Sequence, residues 1–235
     1  MDKNKKNEKP VEELLLECGA VKFNGVYPFI YKSGMKSPIY CDAKSVAGFP
    51  IVYTRLAEEC RKQVYDMWKK AGEPMHLTIV GVDGAAAWAA MAAATIVREH
   101  PDMYHGHEKM PGVPFSWVLS QPKDHGMFNQ IDGAKMRPDT AVIIVENVIK
   151  TGGTTMDAIR TLRRSGVQKM DILGVVAVMS YDLPEVKEAL AAANIEVRTL
   201  TTFDKLVAAA VDNDYLSKSQ VDTVKAWHKD PHNWR

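Results

Sequence analysis

Residues 141–165 read AVIIVENVIKTGGTTMDAIRTLRRS, and this stretch gathers residue types that can do chemistry at close spacing. Five apolar residues end at Glu146 and Asn147. Val148 to Thr154 form a short loop, and the pattern predicts a helix over Thr155 to Ser165. Gly152 and Gly153 allow a backbone path that exposes successive N–H groups, and Thr154 and Thr155 add hydroxyls at the positive end of the helix. A phosphomonoester fits such a loop. Glu146, a carboxylate at the C-terminal edge of a buried strand, is placed to hold sugar hydroxyls or a hydrated metal. The small polar residues also read as plain helix punctuation, with Thr154 and Asp157 as a capping box and Gly166 as a C-cap.

A second stretch, FSWVLSQPKDHGMFNQIDG over 115–133, sets Lys123 and His125 two residues apart on a loop bounded by glycine. A fixed cation and a titratable donor so placed can close over a pyrophosphate and exclude water; the alternative is a solvated charged loop. Other clusters carry less. His105, His107 and Glu108 lie in a polar connection with no second ligand set nearby, which reads as a surface loop. Trp227, His228, His232 and Trp234 stand at the end of the chain, where aromatics pin a terminal helix to the core.

The elements that position these loops follow from hydrophobic period. Val11 to Cys18 reads as a short amphipathic helix, Lys22 to Ile30 and Ser37 to Asp42 as strands, and residues 11–49 as a small N-terminal hood. Val52, Leu56, Cys60, Val64 and Trp68 recur at steps of four, predicting a helix over Pro50 to Lys70. Leu77 to Val82 and Ala141 to Val145 are continuous apolar runs, the mark of strands buried on both faces, each followed by a helix. With Phe115 to Leu119, Ile172 to Met179 and Glu196 to Leu200, strands alternate with helices. The fold class is α/β: a doubly wound, mainly parallel sheet flanked by helices. Ligands then bind where loops leave the C-terminal strand ends.

Composition bounds the rest. The 235 residues, 46% hydrophobic, suit one domain over 11–235 after a disordered tail at 1–10. A formal charge of +1 supplies no field to draw the chain onto nucleic acid, and Arg163-Arg164 with the N-terminal lysines are too scattered to make such a surface. The longest apolar run, Ala85 to Val97, falls short of the roughly 20 residues needed to cross a bilayer, so no membrane partner is expected. Cys18, Cys41 and Cys60 have neither disulfide-framework nor zinc spacing, which suits a reducing cytoplasm.

Glu146 to Thr154 resembles the phosphoribosyl pyrophosphate signature of type I phosphoribosyltransferases, a strand, two acids and a loop of the form V-I-T-T-G-G-S. Pro122, Lys123, His125, Gly126, Asn129, Gln130, Ile131 and Gly133 are similar to the catalytic loop of the orotate phosphoribosyltransferases. KSGMKSPIYCD, GVDGAAAWAA and the C-terminal segment extend the likeness from Val11 to Trp234. The resemblance implies transfer of a phosphoribosyl group to orotate in pyrimidine biosynthesis, with Mg²⁺ carried by pyrophosphate rather than on protein ligands, and a homodimer. It implies that Lys32, Lys123, His125, Glu146, Asn147, Val148, Ile149, Lys150, Thr151, Gly152, Gly153 and Thr154 bind phosphoribosyl pyrophosphate. Tyr40 and Lys150 would border orotate, and Lys123, His125, Glu146 and Asn147 would carry catalysis. Three positions depart from the family: Leu119 for an arginine, Asn147 for the second acid, and Lys150 for a threonine or serine. They leave open an alternative, a catalytically impaired nucleotide-binding or regulatory protein on the same fold.

Overall fold

The computed structural model describes residues 8–31, 33–74, 76–99, 113–121, 130–137, 139–165 and 171–234. The expectations for residues 1–7 of the tail, Lys32, the 105–108 histidine cluster, Lys123, His125 and Gly166 lie outside the described residues. The chain divides into two units, 54–200 and a smaller one joining 1–53 to 201–235. The sequence pattern had marked only 11–49 as a separate subregion.

In the larger unit a six-stranded sheet has the order β10-β9-β8-β5-β6-β7. Its strands are β5 (Leu77–Val82), β6 (Phe115–Val118), β7 (Ile131–Gly133), β8 (Ala141–Ile149), β9 (Asp171–Ser180) and β10 (Glu196–Thr202). β5 pairs in parallel with both β6 and β8, and β8 with β9, while β7 runs antiparallel to β6. Every residue of β5 is buried, as are the first seven of β8, which accounts for their continuous apolar runs.

Among the described residues of this unit, three helices follow strands: α3 (Ala86–Glu99) after β5, α4 (Gly153–Arg164) after β8 and α5 (Pro184–Ala192) after β9. From β5 the chain steps to β6 on one side. From β8 it steps to β9 and β10 on the other, so the winding reverses between β5 and β8. Right-handed crossovers in opposite directions place α3 and α4 on opposite faces. The ends of β5 and β8 thus flank the crevice where doubly wound sheets bind ligands. Helix α2 (Pro50–Lys70) has the expected bounds and buries Leu56, Cys60 and Val64 completely. Burial pushes the Cys60 thiol up to about 12, and none of the three cysteines is in a disulfide.

The smaller unit differs from its sequence pattern. The expected strand over 22–30 is two short ones, β1 (Val21–Phe23) and β2 (Phe29–Ile30). Between them Asn24 Oδ1 accepts from the N–H groups of Val26 and Tyr27 at 3.1 and 2.9 Å, a side-chain turn that interrupts extended backbone. The expected strand over 37–42 likewise splits into β3 (Lys36–Ser37) and β4 (Ile39–Cys41) around Pro38, which has no N–H to pair. β1 pairs antiparallel with β4, and β2 with β3.

Helix α1 (Val11–Glu17) packs on α6 (Phe203–Asp212), and the Thr201 hydroxyl donates to buried Glu12 at 2.6 Å. Helix α7 (Lys218–Lys229) starts on a capping box of Ser217 and Gln220. It is pinned by Trp227, fully buried, whose indole donates to the Lys36 carbonyl at 2.8 Å, and by His228 stacked on Phe203.

Candidate active site

Strand β8 does not end at Val145. Its ladder with β9 continues through Glu146↔Ala177 and Val148↔Met179 to Ile149↔Ser180, and the Tyr181 N–H donates to the Ile149 carbonyl at 2.9 Å. Val148 and Ile149, expected in the loop, are therefore strand residues. β-Branched side chains and an unbroken partner strand hold them extended. The loop shortens to Lys150, Thr151 and Gly152, and Lys150 is half-buried at its start.

Extension of the strand separates its two polar residues. Neighbours in a strand point to opposite faces, and each of these finds a partner on the helix packed there. Glu146, 6% exposed, accepts from the backbone N–H of Asn147 at 3.0 Å and from the Thr155 hydroxyl of α4 at 3.5 Å. Asn147, also 6% exposed, accepts at Oδ1 from the indole N–H of Trp88 on α3 at 2.7 Å. The sequence pattern had placed the two side by side. It gave no sign of Trp88, whose one distinguishing mark is a large ring inside a run of alanines.

Gly152 takes the left-handed conformation, φ 71°, immediately before α4. A Cβ there would lie 2.8 Å from Val186 Cγ1 of α5, so both backbone and space require glycine. The helix starts at Gly153, not Thr155, and its first bond runs from the Met156 N–H to the Gly152 carbonyl at 2.9 Å. The N–H groups of Gly153, Thr154 and Thr155 are then the ones a helix leaves without an internal acceptor. Gly153 and Thr154 are exposed, while Thr155 is buried and turned to Glu146. The expected capping box of Thr154 and Asp157 does not form: the cap is Gly152 with no side-chain bond, and Asp157 pairs with Arg160. Small residues, a left-handed glycine and free amides at the positive end of a twelve-residue helix suit a dianionic phosphate.

At the neighbouring strand end, Gly81 lies where a Cβ would meet Ala86 Cα at 2.5 Å, and Asp83 is exposed in the left-handed region at φ 46°. Leu119 and Gln130 are tied twice: the Leu119 N–H donates to the Gln130 carbonyl and Gln130 Nε2 to the Leu119 carbonyl, both at 2.9 Å. Tyr40 lies in β4 of the smaller unit, half-buried, its ring 5.5 Å from Phe29 and 6.0 Å from Tyr31. No cluster of three or more His, Cys, Asp or Glu suited to a metal occurs among the described residues.

The doubly wound sheet, with an acid near the end of β8 and a glycine-led helix start behind it, has the fold of the type I phosphoribosyltransferases. Solved structures share it: UMP synthase of Leishmania donovani, at a TM-score of 0.70 and 21% identity, covers 93% of this chain, which spans 41% of that protein. The orotate phosphoribosyltransferase of Francisella tularensis, at 0.63 and 17%, covers 92% of this chain and 96% of its own. A family model described as uracil phosphoribosyltransferase matches residues 107–219. Relatives named orotate phosphoribosyltransferase align over nearly the whole length: that of Listeria innocua is 33% identical over 97% of this chain and 98% of its own, and that of Phocaeicola vulgatus 31% over 97% and 96%. The chain belongs to the orotate phosphoribosyltransferase family.

Proposed function

We propose that the protein transfers the phosphoribosyl group of phosphoribosyl pyrophosphate to orotate, giving orotidine 5′-phosphate and pyrophosphate in pyrimidine biosynthesis. The observation that carries this reading is the α4 start, with its exposed Gly153 and Thr154, directly behind the Glu146-bearing strand in a chain of this family. Loss of pyrophosphate from the anomeric carbon develops positive charge on the ribose and negative charge on the leaving group, and both must be stabilised together. Thr151 to Thr154 hold the 5′-phosphate through amides and a hydroxyl, with Lys150 adding a cation at the entrance. Glu146 and Asn147 serve the ribose. Lys32, Lys123 and His125 serve the pyrophosphate, and Tyr40 borders the orotate ring. Mg²⁺ bound on the pyrophosphate supplies charge neutralisation to the leaving group.

The protein acts as a homodimer in the cytoplasm. Seven large apolar side chains exposed in the smaller unit, Val26, Tyr27, Ile30, Phe49, Ile51, Val211 and Tyr215, support a partner surface, and three cysteines outside any disulfide suit a reducing compartment. Among the described residues no helix is long and apolar enough to cross a membrane. Binding without catalysis is not favoured, since the similarity runs along the whole chain to proteins named as enzymes.

The test is the fall in orotate absorbance on mixing protein, orotate, phosphoribosyl pyrophosphate and Mg²⁺, with an Asn147→Asp, Leu119→Arg variant beside it. Wild-type turnover is expected; turnover by the variant alone would show a fold kept for binding. His125→Ala should lower turnover more than nucleotide binding, and unchanged turnover would remove it from the mechanism.

A further inference from the structure

Asn147 is buried at the C-terminal end of β8, and its Oδ1 receives the Trp88 indole N–H at 2.7 Å. An indole nitrogen only donates, so the amide oxygen must face Trp88 and the amide nitrogen must face away. Among the described residues Nδ2 makes no hydrogen bond. Nδ2 is not among the fully buried atoms left without a partner, so it stays open to solvent at a strand end beside the winding reversal, where a ligand can accept from it. We propose that Trp88 is a positioning residue for the sugar subsite: its N–H locks Asn147 so that Nδ2 donates to a ribose hydroxyl oxygen of the cosubstrate. This rests on the phosphoribosyltransferase reading.

The lock matters because an amide, unlike a carboxylate, has two different ends. Without the indole N–H, Asn147 can rotate by half a turn about its last bond and present oxygen where a donor is needed. An aspartate presents the same atom either way. The subsite therefore reads the hydroxyl as an acceptor, and Trp88 sets that polarity from the α3 side of the sheet.

The test is a cycle of Trp88→Phe, Asn147→Asp and the double variant in the full chain. Binding of phosphoribosyl pyrophosphate with Mg²⁺ is read by calorimetry without orotate, and KM and kcat are read with it. Trp88→Phe should weaken cosubstrate binding and raise its KM about tenfold while kcat changes less than about threefold, the size expected for one hydrogen bond. In the Asn147→Asp background the same change should alter binding less than about twofold. Equal losses in both backgrounds would mean that the ring acts by packing alone, and would overturn the proposal.

If Trp88→Phe does not fold, an isosteric benzothiophene side chain at 88 removes the N–H and keeps the ring; unchanged binding there also overturns it. Absence of orotate turnover with the binding cycle intact would overturn the proposed reaction and leave the Trp88 role standing. Absence of any cosubstrate binding by wild type would overturn both.

Discussion

The units β5–α3 and β8–α4 are neighbours built on one plan, a buried strand, a tight turn and a helix, paired in register from Leu77↔Ala141 to Gly81↔Val145. They use glycine for different ends. In the first, Gly81 lets the strand end lie against the backbone at the start of α3, and the turn beyond it is left to Asp83 in a left-handed conformation. In the second, Gly152 makes the left-handed turn itself and Gly153 leaves the helix start open. One unit spends its small residue on packing and the other on presenting amides, so the second suits an anion although both end at the same crevice.

Substitutions can break that comparison. Gly81→Ala forces a Cβ against backbone and should cost about 3 kcal/mol in denaturant unfolding. A loss under about 1 kcal/mol would mean that the close approach is not what holds the unit. Gly152→Ala meets a movable Val186 methyl and a left-handed backbone, and should cost about 2 kcal/mol together with weaker cosubstrate binding. A fall in stability with binding untouched would make Gly152 a packing glycine like Gly81.

Gly153→Ala sharpens the contrast. Its Cβ meets nothing nearer than Thr151 Oγ1 at 4.0 Å, and alanine is the better helix former, so stability should hold or rise by about 0.5 kcal/mol. Phosphate affinity should drop about fivefold, as for one weakened charge-assisted bond; affinity unchanged by titration calorimetry would take Gly153 out of the site. Thr154→Val, at an exposed hydroxyl, should leave the melting temperature in place and raise the cosubstrate KM about threefold.

Five of the six strands of the sheet were legible in the sequence, β5 and β8 because strands buried on both faces write themselves as apolar runs, and α2 because five residues keep one face; the three-residue edge strand β7 was not. The end of β8 was not. Glu146 and Asn147 look like the close of a strand, but their partners, Thr155 and Trp88, lie 9 and 59 residues away and no local pattern announces them. The Asn24 turn and the break at Pro38 were readable in principle, since both rest on residue types that disrupt extended backbone. The loop after β8 was read four residues too long, because β-branched Val148 and Ile149 continue the strand and Gly153 and Thr154 already belong to the helix.

The smaller unit joins both ends of the chain: Glu12 waits for Thr201, 189 residues later, and Lys36 for Trp227, 191 later. During synthesis at roughly 5–20 residues per second, α1 emerges with Leu15 and Leu16 uncovered and stays so for about 10 to 40 s before α6 exists to pack against it. The strands of the sheet have all been made before α6 and α7, so the sheet can form first while the region around Tyr40 waits for Trp227. Loss of the final helix would leave that region open while sparing the sheet.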